Sequence, residues 1–220
     1  DFLLRSDLEY QQKFNQTATE LNQKAALLSE GLAAQDIDVT PLASFTAFTK
    51  SYQDLFNQLV QLSDQVGLDP QSGLYGELRA KAHELEQAFK DTNDLLLTTQ
   101  LLQLRRAEKD FMLRLDMKYL ESFNKGFAEF RNQIQSNISD ATQALKMQQL
   151  ADAYSVAFAR LVEGEQKIGL AHDQGLMGQM REAIHQTEES LELMSKRTEE
   201  AVNQASSASQ TLAISLFVLV

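Results

Sequence analysis

The chain has no cysteine, so disulfides and thiolate chemistry are unavailable, a composition that suits a cytoplasm and a bacterial periplasm equally. Proline and glycine are also scarce, at 2 and 9 of 220 residues, while Leu, Ala, Gln and Glu dominate. These are strong helix formers, and nothing suggests a sheet. Positive charge is in deficit: 20 Lys and Arg stand against 31 Asp and Glu, a formal net charge of -11. Nucleic acid and anionic lipid surfaces both require a basic patch, and this balance argues against either as a partner. There is no Gly-rich phosphate loop, no nucleophile beside a base and no carboxylate pair beyond ordinary helix-surface charge, so an enzyme is not expected. The three histidines, His83, His172 and His185, lack a second ligand at metal spacing and read as surface residues. Neither metal nor cofactor is expected, and the Phe and Met stripes read as core.

What the chain does contain is an internal duplication. DFLLRSDLEYQQKFN from Asp1 lies over DFMLRLDMKYLESFN from Asp110, an offset of 109 residues that matches Phe2 to Phe111, Arg5 to Arg114, Asp7 to Asp116 and Tyr10 to Tyr119. Further on the offset is 102: Tyr52, Phe56, Leu59 and Gly67 return as Tyr154, Phe158, Leu161 and Gly169. The same offset places GLYGELRAKAHELE from Gly73 on GLMGQMREAIHQTE from Gly175, matching Arg79 to Arg181, His83 to His185 and Glu86 to Glu188. Each half is one unit of three helices, and the second copy is seven residues shorter in the loop holding Pro41.

The 3.6-residue spacing of apolar residues predicts six helices. The first runs from about Asp1 to Leu32 and the second from near Pro41 to Gly67. The third runs from about Leu74 to a reversal at the DTND cluster, 91–94. A single long fourth helix follows to about Ile138, a fifth is capped by Asp140, and a sixth starts near Leu176. The long first and fourth helices, each followed by a shorter hairpin, imply an all-α fold of two stacked four-helix bundles. The distal module is expected at about 8–115 and the proximal one at about 1–7 plus 110–205, together a domain over 1–210. The apolar run TLAISLFVLV, 211–220, reads as the start of a transmembrane helix, and the abrupt start without initiator Met or signal peptide implies further helix ahead of Asp1.

The R-x-x-E-K-D-F-x-L-R-x-D-x-x-Y heading from Arg105, duplicated from its Asp onward at Asp1, the six-helix pattern and the trailing apolar run resemble the helical bimodular sensor domain, the periplasmic ligand-binding region of bacterial chemoreceptors. That resemblance implies a homodimer anchored in the bacterial inner membrane by flanking transmembrane helices. It also implies small organic acids as ligands, with arginines that clamp the carboxylate, and a signal passed along the last helix. The sensor domain of a histidine kinase and a coiled-coil tether or adaptor without ligand are the alternative readings.

Within that resemblance the candidate ligand residues are Arg105, Arg181, Arg79, Arg114 and Arg5. On a helical wheel Arg105 and Glu108 fall within about 40° of Tyr119 and interrupt an apolar seam. Arg105 either pairs with Glu108 in a polar layer or receives a carboxylate bidentately, as guanidinium geometry allows. Arg181 lies about 60° from its helix's buried face, and Arg79 holds the matching place in the other copy. Arg114, with Arg106, projects about 140° from Tyr119, toward solvent or a dimer contact, and Arg5 follows Arg114 through the repeat.

Overall fold

A computed structural model of the chain describes residues 2, 7–90 and 94–218, without the side chains of 205 and 208–218. Its described residues are all-helical, in seven helices: α1 (Glu9–Ala33), α2 (Thr40–Val66), α3 (Gly73–Lys90), α4 (Leu95–Arg114), α5 (Lys118–Asn137), α6 (Ala141–Ile168) and α7 (Gly175–Val218). The seventh arises because the expected long fourth helix is broken. Leu115 adopts a left-handed conformation (φ 50°), its N–H closing α4 on the Phe111 carbonyl at 2.7 Å, and Asp116 Oδ1 then accepts the Lys118 N–H at 3.0 Å to open α5. An Asp in this position competes with helix continuation by bonding the backbone two residues on.

The same device starts α1. Asp7, the repeat partner of Asp116, accepts the Glu9 N–H at 2.9 Å, so the helix expected from Asp1 is described from Glu9. Other boundaries follow sequence signals closely. Asp140 caps α6 by accepting the Gln143 N–H at 2.9 Å, and Asp94 caps α4 by accepting from Leu96 and Leu97. The first three residues of the expected DTND reversal lie outside the described residues.

The duplication is visible in the backbone. The loops that end α2 and α6 both pass through a glycine at strongly positive φ, 121° at Gly67 and 127° at Gly169. Each glycine N–H bonds a carbonyl four residues back at 2.8 Å, from Ser63 and Glu165. A Cβ on either would stand 2.3 or 2.2 Å from a loop carbonyl oxygen, so only glycine permits this turn.

The chain divides into two compact units, 1–57 with 179–220, and 58–178. The sequence expectation drew its modules at about 8–115 and about 1–7 plus 110–205. The observed division passes through α2 and α7, so each unit draws on both copies of the repeat. In the unit spanning 58–178, α3 packs on α6 and α4, and α5 packs on α4 and α6, a ring of four helices. Its core is fully buried at Leu85, Leu97, Phe111, Phe123, Phe130, Phe158 and Leu161, with Phe123 and Phe158 rings 4.5 Å apart. At ~25 cal/mol per Å² of apolar area, each such side chain contributes roughly 1.5–3 kcal/mol.

In the unit formed by 1–57 and 179–220, α1 and α2 meet through Phe14, which touches Tyr52 and Phe56, and through an amide cluster of Gln11, Asn15, Gln53 and Asn57 at 2.9–3.2 Å. Ala25, Leu42 and Phe45 form its small buried core, with Leu32 and Met194 against them, and Arg197 pairs with Asp38. Among the described residues no helix is long and apolar enough to cross a membrane. Over the expected transmembrane start, α7 continues helical to Val218, and 219–220 lie outside the described residues.

Candidate functional site

Two faces of the 58–178 unit bring charge together. On α3, Arg79, His83 and Glu86 recur at i, i+4 and i+7, a single stripe of the helix. On α4, Arg105 and Lys109 are four residues apart and likewise share a face. Packing of α3 on α4 joins the stripes into one cleft of about 690 Å³, lined by Gln71, Arg79, His83, Glu86, Arg105 and Lys109 with the backbone at Gly76. Three cations thus converge on a protein whose net charge is -11.

Two of the lining residues, Arg105 and Lys109, also belong to a buried network around Glu108, which is 0% exposed. Its Oε2 accepts from Arg105 Nη1 and from the Tyr154 hydroxyl, the latter at 2.6 Å. Its Oε1 lies 2.9 Å from Lys109 Nζ, an ion pair outside hydrogen-bond geometry. Arg105 also places Nε 2.9 Å from Glu86 Oε1. Burial pulls the guanidinium pKa down, but the Glu108 carboxylate and the Tyr154 hydroxyl outweigh it and the value is raised. For Tyr154 burial comes first and Glu108 second, and both push the phenol well above its usual range. The phenol therefore stays protonated and remains a donor.

The sequence left two roles open for Arg105, and the geometry shows the pairing with Glu108 while also placing the residue on the cleft. Arg105 lies midway along α4 with its side chain 19% exposed, and its two acidic partners leave other donors of the five-donor guanidinium over. Arg79 lines the same cleft, exposed and without an ion pair among the described residues. Arg181 belongs to the other unit, exposed on α7. Arg114 is apart from the cleft: it ends α4, lies 3.6 Å from Asp110 and sits over the Tyr119 ring. Arg5 lies outside the described residues. Lys109 and Glu86 were missed as site residues, although their i, i+4 and i+7 spacing from Arg105 and Arg79 was legible.

A second cleft of the same unit, about 470 Å³, is lined by Glu77, Arg160, Glu163 and Lys167. There each cation is already neutralised: Arg160 Nη1 donates to Glu77 Oε2 at 2.8 Å and Lys167 Nζ to Glu163 Oε1 at 2.6 Å. Nearby, the buried Glu165 carboxylate accepts from the Tyr75 hydroxyl at 2.6 Å. Of these two clefts, the first has cationic charge in excess of its acidic partners at the surface. Among the described residues no group of His, Asp and Glu could hold a metal ion. No protein-family model, no curated protein and no solved structure matches the chain significantly.

Proposed function

We propose that the chain is the extracytoplasmic ligand-binding domain of a bacterial inner-membrane chemoreceptor and that the α3/α4 cleft takes a small organic carboxylate. The observation that carries this reading is the convergence of Arg79, Arg105 and Lys109 on one cleft of a strongly acidic chain. Guanidinium forks match a carboxylate bidentately, and an ammonium beside them adds a point charge. In the free domain Glu86 holds Arg105 Nε. An arriving carboxylate displaces it, while Glu108 and Tyr154 keep Arg105 oriented from below.

Because Glu86 is on α3 and Arg105 on α4, exchanging one carboxylate for another changes the contact between these helices. The ligand favours one packing arrangement by its differential contacts, and the shift is read out along the last helix. The domain works as a homodimer, its helices arranged as two stacked four-helix bundles and continued by a transmembrane segment over 211–220. A histidine-kinase sensor domain would use the same cleft. A ligand-free tether is the second reading, favoured by the fully satisfied Oε2 of Glu108, which would then serve only as a polar register layer.

Calorimetry with acetate, succinate, malate and citrate tests the proposal. Saturable binding that Arg79→Ala and Lys109→Ala each weaken supports it. No binding by any of the four, with no ligand-dependent rise in melting temperature, leaves the tether.

A further inference from the structure

The duplication gives every helix of the unit formed by 1–57 and 179–220 a counterpart in the other unit. α1 matches α5, α2 matches α6, and α7 matches α3. α4 has no counterpart among the described residues. In its own unit α4 packs on α3 and α5 and closes the core with Leu97, Leu101, Leu104 and Phe111, each no more than 4% exposed.

The faces that α4 would cover are open in the first unit. Leu21 is 38% exposed where its counterpart Phe130 is 0%, and Ile184 is 41% exposed where Ala82 is 0%. Leu191 is 46% exposed where Phe89 is 3%. Leu21 and Ile184 border an apolar groove of about 260 Å³, whose walls include Phe14, Ala18, Phe45 and Tyr52. Three helices have the side chains for a four-helix core, and one side of that core is uncovered.

Phe2 fixes what belongs there. It is 4% exposed, and its ring meets Phe56 edge-on at 6.0 Å and 86°. The counterpart of Phe2 is Phe111 near the end of α4, and the counterpart of Phe56 is Phe158; these two rings meet edge-on at 5.7 Å and 86°. The contact through which α4 ends on its bundle is therefore already made in the first unit, where Phe56 in turn touches Phe14 of the groove wall, ring centroids 4.5 Å apart.

We propose that this groove is the seat of an amphipathic helix of the α4 pattern that runs into Phe2 from residues ahead of Asp1. The α4 pattern is set by Leu97, Leu101 and Leu104, which stand thirteen, nine and six positions ahead of Asp110, the repeat partner of Asp1. The first unit also keeps Tyr52 on the groove wall, the counterpart of the Tyr154 whose hydroxyl bonds Glu108 of α4. A second copy of the chain is a poor occupant, because its own α4 is committed to a buried core.

The test extends the 220-residue chain by placing its own segment 95–109, LLLTTQLLQLRRAEK, directly ahead of Asp1. Amide hydrogen exchange is then read on α1 and on 179–204, with α3 to α6 as the internal control for folding. The added segment should exchange slowly, protection in α1 should rise about tenfold or more, and dye binding to exposed apolar surface should fall. Replacing the three seat leucines of the extension by Ser should cancel all three effects. An extension that exchanges as free coil and leaves α1 unchanged would overturn the proposal. So would a dimer of the unextended chain that both Leu21→Glu and Ile184→Glu dissociate, because the groove would then be filled by a second copy.

Discussion

Arg105→Ala separates the two things Arg105 does. Glu108 is fully buried, and Arg105 Nη1 is one of three groups around it, with the Tyr154 hydroxyl at 2.6 Å and Lys109 Nζ at 2.9 Å. Removing one partner of a buried ion pair costs ~3–5 kcal/mol when the other charge is stranded. Here Tyr154 and Lys109 remain, so the cost falls below that scale, toward the loss of one hydrogen bond to a charged group, and about 2–3 kcal/mol is expected. For a chain of this size that is roughly 5–10 °C in Tm. Glu108→Gln in the same background removes the stranded charge and should restore at least ~1 kcal/mol. Urea unfolding of the wild type, both single variants and the double variant gives the coupling directly. An Arg105→Ala change within ~0.5 kcal/mol of wild type, or additive behaviour of the two substitutions, would refute the network as an energetic unit. Carboxylate titration of the same variants, corrected for the folded fraction, asks the second question. A lost charge-assisted bond predicts ~10-fold to over 100-fold weaker binding, and unchanged affinity would remove Arg105 from the ligand's contacts.

Glu86→Gln should tighten carboxylate binding about tenfold, roughly 1.4 kcal/mol, because it removes the acidic group that holds Arg105 Nε in the free domain. Weaker binding in that variant would show that Glu86 supports the site rather than competing for it. Tyr154 should make the fold sensitive to alkali. Its pKa is raised in the folded chain, so the native state keeps a proton that the unfolded chain releases above about pH 10. The stabilisation is intact below that pH and falls by ~1.4 kcal/mol per unit above it, and the difference in stability between wild type and Tyr154→Phe should shrink accordingly. A difference that stays flat from pH 9 to pH 11 would contradict this environment for the phenol. Gly169→Ala should cost at least ~1–3 kcal/mol, because the backbone has φ 127° and the new Cβ would stand 2.2 Å from the Gln174 carbonyl oxygen. Gly67→Ala should behave alike, and a neutral result at either position in thermal melts would mean that the repeated loop rearranges.

The sequence by itself determined the helical class, most helix ends and the duplication. Helix formation here depends on local composition and spacing, and caps such as Asp94 and Asp140 act within three residues of themselves. It also singled out Arg105, Glu108 and Arg79, because a charge in an apolar seam and an arginine repeated at a fixed offset are both visible along one chain. The reversal at Leu115, across which α4 and α5 fold back until Asn137 Nδ2 donates to Asp94 Oδ2 at 2.8 Å, was not legible by periodicity, since both helices carry the same apolar spacing, though the Asp116 side chain that opens α5 was there to be read. Tertiary structure alone decided which helices meet. The third helix of one copy packs on the second helix of the other, so the compact units cut across the repeat and the α3 and α4 stripes face each other across one cleft. Helix pairing is a long-range choice among several similar amphipathic faces, and no local spacing distinguishes them. The same choice buried Glu108 under Tyr154, 46 residues away in the chain, and turned two ordinary charged stripes into a concentrated patch of positive charge.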